Sequence, residues 1–133
     1  MVPIADEEGL PSDGYLTSPN WPEYYPNYHD STQTIQVTEG WTINLAFTDF
    51  NTEPEYDYVQ IVDGDGTDLT PKMFGAHGSR WEFMADGGVG VYSMSNIVYV
   101  KFHTDGDTQR KGWRLRWSDA CGGPRGGDPS LCS

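Results

Sequence analysis

The sequence predicts an all-β fold, an antiparallel β-sandwich or barrel, from two observations. Short segments alternate apolar and polar residues and are separated by turn residues. Helical periodicity is almost absent, because 16 glycines and 9 prolines interrupt the stretches long enough for three helical turns. The 133 residues suit one domain and leave little room for two.

The individual strands are predicted from this alternation. In Trp41–Phe47 every odd-numbered residue is apolar, and Lys111–Trp117 alternates two arginines with two tryptophans and a leucine, so these apolar residues are expected to face the core. The other predicted strands are Gln33–Val37, Tyr56–Val62, Gly88–Ser93 and Asn96–Phe102. We expect the last two to pair as a hairpin around residues 94–96. The segments before residue 31 and after residue 118 are predicted to be loops.

The charge of the chain excludes several classes of partner. Twenty acidic and 8 basic side chains give a net charge of −12, which disfavours nucleic acids and anionic membranes. Residues 1–71 contain 14 of the 20 acids and no lysine or arginine. This surplus of carboxylates indicates either simple solubility or the binding of a cation.

The two cysteines bear on the compartment. Cys121 and Cys132 flank a stretch rich in glycine and proline, and the sequence predicts a disulfide that closes this small loop. Such a bond implies an oxidising compartment, whereas free or intermolecular thiols remain the alternative. No apolar run approaches the roughly 18 residues of a membrane span, and the first residues do not form a signal peptide.

Three acidic loop segments are candidates for metal binding: 51–57, 63–68 and 104–108. Calcium takes 6–8 oxygen ligands, so a site here would need two loops brought together. The segment 63–68 lacks the downstream glutamate of an EF-hand loop, and we predict an ordinary solvated turn there.

Four motifs occur in a characteristic order. They are Gly14-Tyr-Leu-Thr-Ser-Pro-Asn-Trp-Pro-Glu-Tyr-Tyr-Pro-Asn27, Gly40–Phe47, Tyr56–Ile61 before Asp63-Gly64, and Val98–Trp113. Through them the sequence resembles a CUB domain from about residue 9 to residue 117. The resemblance implies an antiparallel β-sandwich of jelly-roll type. It also implies an N-terminal tail (1–8), the CUB-like domain (9–118) and a C-terminal tail with the cysteine pair (119–133).

The resemblance implies a calcium ion at one end of the sandwich. The family's positions fall here on the ligands Glu53, Asp57, Asp105, Asp107 and Thr108, the last through its carbonyl. Tyr25 is expected to steady a ligating carboxylate through its hydroxyl. The chain departs from the family in two ways: it has no cysteine where the two usual disulfides lie, and its shorter segment 53–57 leaves Glu55 as an alternative to Glu53.

The predicted function is that of a secreted, extracellular, calcium-dependent recognition module. The resemblance implies that a lysine of a basic protein partner contacts Tyr25, Glu53 and Asp105, although the ion could also serve only to tie loops together. Two alternatives remain open. One is a non-catalytic accessory domain of a secreted protease, and the other is a carbohydrate-binding module built on Trp21, Tyr24, Tyr25 and Tyr28.

Catalysis is not predicted. Glu53 and Asp57 could form an acid–base pair for glycoside hydrolysis, but no other feature supports it. The three histidines are scattered, and no serine or cysteine lies in a nucleophile motif.

Overall fold

The computed structural model describes residues 13–75, 83–84, 90–106 and 108–120. These residues form two antiparallel sheets packed as a sandwich, which confirms the predicted fold class. The strands are β1 (Asp13–Thr17), β2 (Asp30–Gln36), β3 (Thr42–Asn51), β4 (Tyr58–Asp63), β5 (Val91–Tyr92), β6 (Ile97–His103) and β7 (Gly112–Ala120). One sheet has the order β1-β7-β3-β5 and the other β2-β6-β4. Within the described ranges, no helix is long and apolar enough to cross a membrane.

The core lies between the sheets, where the predicted inward faces meet. Trp113 of β7 is fully buried, and its ring lies edge-on to Phe47 of β3 at 6.1 Å and to Phe102 of β6 at 5.8 Å. Phe47 also packs edge-on against Phe50 at 4.9 Å. The contact between Trp113 and Phe102 joins the two sheets, and all three pairs have the edge-to-face geometry that aromatic rings prefer.

Two predicted loops are wrong in part, because they contain strand residues. β1 pairs with β7 along residues 13–17, and β7 continues to Ala120. The alternation of apolar and polar residues did not predict β1, because its inward position opposite Trp117 is Gly14, which carries no side chain. A Cβ on Gly14 would lie 3.1 Å from the Trp117 ring. The tail boundaries beyond these strands, and both Cys121 and Cys132, lie outside the described residues.

The predicted hairpin around residues 94–96 is also wrong. β5 pairs with β3, whereas β6 pairs with β2 and β4 in the other sheet. The segment between them therefore crosses from one sheet to the other. The Ser93 hydroxyl accepts the backbone N–H of Ile43 at 2.8 Å, which fixes the start of the crossing to β3.

Asp63, at the end of β4, holds the same crossing segment. Its carboxylate accepts the N–H of Met94 at 2.8 Å and the hydroxyl of Ser95 at 2.6 Å, as well as the N–H of Gly64 at 2.8 Å. The turn predicted after β4 is present, and Asp65 is exposed on it. The prediction of a solvated carboxylate is wrong for Asp63, which is fully buried because it satisfies donors of a distant loop.

Gly112 positions the loop that precedes β2. Its φ is +92°, and a Cβ there would overlap the side chain of Ser18. The close approach allows the Ser18 hydroxyl to accept the N–H of Trp113 at 3.0 Å, while Tyr25 donates its N–H to the carbonyl of Arg110 at 3.1 Å. These bonds place Tyr25 at one end of the sandwich.

Candidate metal centre

Three carboxylates converge at the end of the sandwich where β3 and β6 finish. Glu53 follows β3, Asp57 precedes β4, and Asp105 follows β6. One carboxylate oxygen from each lies within 4.8 Å of the other two. Asp57 is buried, whereas Glu53 and Asp105 are partly exposed. We call this set the acidic cluster.

Asp57 forms the floor of the acidic cluster. One of its oxygens accepts the Tyr25 hydroxyl at 2.7 Å, and the other accepts the backbone N–H of Asp105 at 2.8 Å. The Tyr25 ring packs edge-on against Phe102 at 5.1 Å, so the core itself orients this hydroxyl. The carboxylate is thus held by groups from two other loops.

Glu53 lies on the same turn as Asp57. Its N–H donates to the Tyr25 hydroxyl oxygen at 3.1 Å, and its carbonyl accepts the N–H of Asp57 at 3.2 Å. The side chain of Thr108 donates to the Glu53 carboxylate. The Oε1 oxygen of Glu53 is buried and has no hydrogen-bond partner in the described structure. Glu55 is exposed and lies outside the acidic cluster, so Glu53 is the glutamate that joins it.

The surroundings of Glu53 and Asp57 oppose the ionisation of these two carboxyl groups. Burial raises the pKa of Glu53, the hydrogen bond from Thr108 lowers it, and the charge of Asp105 raises it further. Burial also raises the pKa of Asp57, against the lowering effect of its bonds from Tyr25 and the Asp105 amide. For Tyr25, burial and then the bond to Asp57 raise the pKa of the phenol. A bound cation would relieve these costs, because it favours the ionised carboxylates.

The residues present fit a hard divalent cation. All three side chains offer carboxylate oxygen, the ligand type that calcium and magnesium take, and none offers sulfur or nitrogen. A cation would also give the buried Glu53 Oε1 the partner it lacks, since an unpaired buried charge is costly. Backbone carbonyls or waters would have to complete a calcium shell of six or more oxygens.

The outcome in the structure differs among the other predicted site residues. Thr108 reaches Glu53 through its side chain, and its predicted role as a carbonyl ligand stays a prediction. Asp107 lies outside the described residues. Tyr25 steadies the Asp57 carboxylate, as expected, but its side chain is fully buried. The burial removes Tyr25 from the predicted sugar-stacking surface. Trp21 is only partly exposed, and its ring lies 5.1 Å below the Arg114 guanidinium.

Sequence reasoning missed two buried threonines beside the carboxylates. The Thr52 hydroxyl donates to the carbonyl of Asp57 at 2.9 Å, which braces the turn that carries Glu53. The Thr104 hydroxyl donates to the carbonyl of Pro26 at 2.9 Å and accepts the N–H of His29 at 2.8 Å. Their positions directly before Glu53 and Asp105 in the sequence were the available signal.

Removing the Tyr25 hydroxyl is expected to weaken metal binding. In Tyr25→Phe, Asp57 loses a donor and the Glu53 N–H loses an acceptor, while the ring can still pack against Phe102. We expect calcium affinity to fall about tenfold, as for other residues that orient a metal ligand. Titration calorimetry measures the affinity, and Tyr24→Phe at the exposed neighbouring position is the matched control. Equal affinities for the two variants would contradict the assigned role.

An antiparallel β-sandwich with loop carboxylates gathered at one end defines a candidate cation-binding module. The chain matches the CUB domain family over residues 6–117, and it belongs to that family. It is 35% identical over 114 residues to human Tolloid-like protein 1, covering 83% of this chain and 11% of that protein. It is 32% identical over 114 residues to human mannan-binding lectin serine protease 1, covering 80% of this chain and 15% of that protein. The chain thus spans a small part of these relatives.

A solved structure links this fold to a metal. The MASP-1 CUB2 domain bound to Ca2+ superposes with a TM-score of 0.60 at 26% identity, covering 82% of this chain and 94% of that chain. The sandwich described above is therefore of the CUB jelly-roll type. Domains of this family are non-catalytic modules, even where the whole protein is a protease.

Proposed function

We propose that the acidic cluster binds calcium and that the loaded site docks a basic side chain, preferably lysine, of a protein partner. The observation that carries this proposal is the convergence of Glu53, Asp57 and Asp105 within 4.8 Å. Asp57 is buried and would hold the ion from the core side, whereas Glu53 and Asp105 reach the surface. The calcium-bound structure of a related CUB domain supports the choice of ion.

The charges of the acidic cluster favour an ammonium group as the docked ligand. Three ionised carboxylates and one Ca²⁺ leave one negative charge at the surface. Carboxylate oxygens have more lone pairs than a single ion uses, so Glu53 and Asp105 can still accept bonds from a lysine ammonium, which has three donors. Because the Tyr25 side chain has no exposed surface, we assign it a positioning role in place of direct partner contact.

An extracellular location is part of this proposal. Calcium sites of extracellular modules work at about 10⁻⁴–10⁻³ M, a range suited to a site with few carboxylates and open to solvent. The disulfide predicted for Cys121 and Cys132 would agree with an oxidising compartment. A role as the accessory domain of a secreted protease is compatible with lysine docking, and the match to mannan-binding lectin serine protease 1 favours it.

A small ligand tests the docking step. N-acetyl-lysine methylamide should shift NMR signals of the acidic cluster in calcium, and the shifts should disappear with chelator and weaken at high salt. The matched ligand N-acetyl-norleucine methylamide lacks the ammonium and should not bind. Glu53→Gln should weaken lysine binding at saturating calcium. Binding that is indifferent to chelator and salt would contradict lysine docking.

A further inference from the structure

Three exposed tyrosines neighbour Tyr25 or a member of the acidic cluster. The large hydrophobic side chains exposed in the described structure are Tyr15, Tyr24, Tyr28, Tyr56 and Met94. Three of these are Tyr24, Tyr28 and Tyr56, with exposed fractions of 58%, 84% and 58%. Exposed aromatic rings at one place on a surface are characteristic of protein interaction sites. We call these three residues the tyrosine rim.

Tyr28 lies directly beside Asp105. Its N–H donates to the carbonyl of Asp105 at 2.8 Å, and its backbone has a φ of +54°, unusual for a residue with a side chain. Its ring lies across Gly106, where a Cβ would overlap the ring. Gly106 thus leaves room for an aromatic ring next to a carboxylate that we assign to partner docking.

Tyr24 and Tyr56 each directly precede a buried residue of the site in the sequence. Tyr25 points inward to Asp57, so its neighbour Tyr24 is turned toward solvent. Asp57 also points inward, and Tyr56 is exposed on the turn closed by the Asp57 N–H and the Glu53 carbonyl. Neighbouring Cα atoms are about 3.8 Å apart, so the backbones of Tyr24 and Tyr56 lie beside those of Tyr25 and Asp57.

We infer that the tyrosine rim is the second half of the docking surface, and that the partner presents a basic side chain flanked by apolar residues. This inference rests on the function proposed above. Tyrosine faces attract an ammonium group and cover its alkyl stem, and tyrosine is enriched among the residues that dominate binding energy. A lone lysine would use only the carboxylates, whereas a lysine within an apolar segment would also contact the rings.

Two probes separate the tyrosine rim from the carboxylates. The first is N-acetyl-lysine methylamide, and the second is a capped pentapeptide of glycine, leucine, lysine, phenylalanine and glycine. In saturating calcium the pentapeptide should bind the wild-type chain about tenfold more tightly than the lysine amide. Tyr28→Ala should remove about fivefold of this gain, and the triple variant with Tyr24→Ala and Tyr56→Ala should remove it entirely.

Met94→Ala is the control, because Met94 is 65% exposed and precedes β6, whereas Asp105 follows that strand's other end. Calcium affinity should be the same in all variants. Equal affinity of the two probes for the wild-type chain, or a pentapeptide gain that survives the triple substitution, would overturn the tyrosine rim while leaving lysine docking intact. If neither probe binds in calcium, the proposed function is wrong, and the inference about the tyrosine rim is wrong as well.

Discussion

Calcium at about 100 times its dissociation constant is expected to raise the melting temperature of this domain by about 10 °C. A ligand at that excess stabilises the folded state by about 2.7 kcal/mol, and each kcal/mol shifts the melting temperature by a few degrees in a domain of this size. Asp105→Ala should abolish the gain, because it removes one of the three converging carboxylates. Differential scanning calorimetry with calcium and with chelator measures both effects.

The Asp105→Ala variant is expected to fold without metal. The backbone N–H of Asp105, which donates to Asp57, is retained when the side chain is removed. Removing its charge also relieves repulsion, since that charge raises the pKa of both Glu53 and Asp57. The matched control is Asp65→Ala, at an exposed carboxylate of the turn after β4, which should keep the full calcium response. A melting temperature unchanged by chelator in the wild-type chain would contradict the metal site.

Asp63→Ala is expected to destabilise the domain more than any other removal of a carboxylate described above. The substitution leaves the N–H groups of Gly64 and Met94 and the hydroxyl of Ser95 without their acceptor. These three hydrogen bonds are part-buried, and each contributes on the order of 1 kcal/mol, so we expect a loss of about 3 kcal/mol in the free energy of unfolding. Urea denaturation monitored by tryptophan fluorescence measures the loss.

Two controls make this result specific. Asp63→Asn keeps one acceptor oxygen and should lose less stability than Asp63→Ala. Asp65→Ala removes a neighbouring, exposed carboxylate whose bond from the Thr67 N–H at 2.8 Å lies at the surface, and it should change the free energy of unfolding by only about 0.5 kcal/mol. If Asp63→Ala and Asp65→Ala unfold at the same urea concentration, Asp63 does not hold the segment that crosses between the sheets.

Local alternation predicted the strands whose inward side chains are large. It identified β3 and β7 because their apolar residues form the core around Trp113. It failed at β1, where Gly14 makes room for a ring of another strand. It also failed to assign β5 and β6 to different sheets, because the same pattern suits a hairpin or a crossing. The deciding contacts come from Asp63, some thirty residues earlier in the chain.

The candidate site was predictable in its chemistry and less so in its geometry. Motif positions named Glu53, Asp57 and Asp105, but no local pattern brings together residues separated by 48 positions in the chain. Tyr25 illustrates the same limit. The loop sequence suggests a surface aromatic, yet its N–H bond to Arg110 and its contact with Phe102 bury the ring. Such contacts join residues that are far apart in the chain and form only when the chain packs, so a local sequence pattern does not predict them.

Calorimetric titration of the metal-free protein with calcium, and then with magnesium, tests the central claim most directly. The account predicts one calcium ion per chain and no calcium heat with Asp105→Ala. Magnesium should bind more weakly, because it demands a near-ideal octahedral shell and gives up its waters reluctantly. An absence of calcium binding to the wild-type chain, or equal binding to Asp105→Ala, would contradict a calcium site formed by Glu53, Asp57 and Asp105.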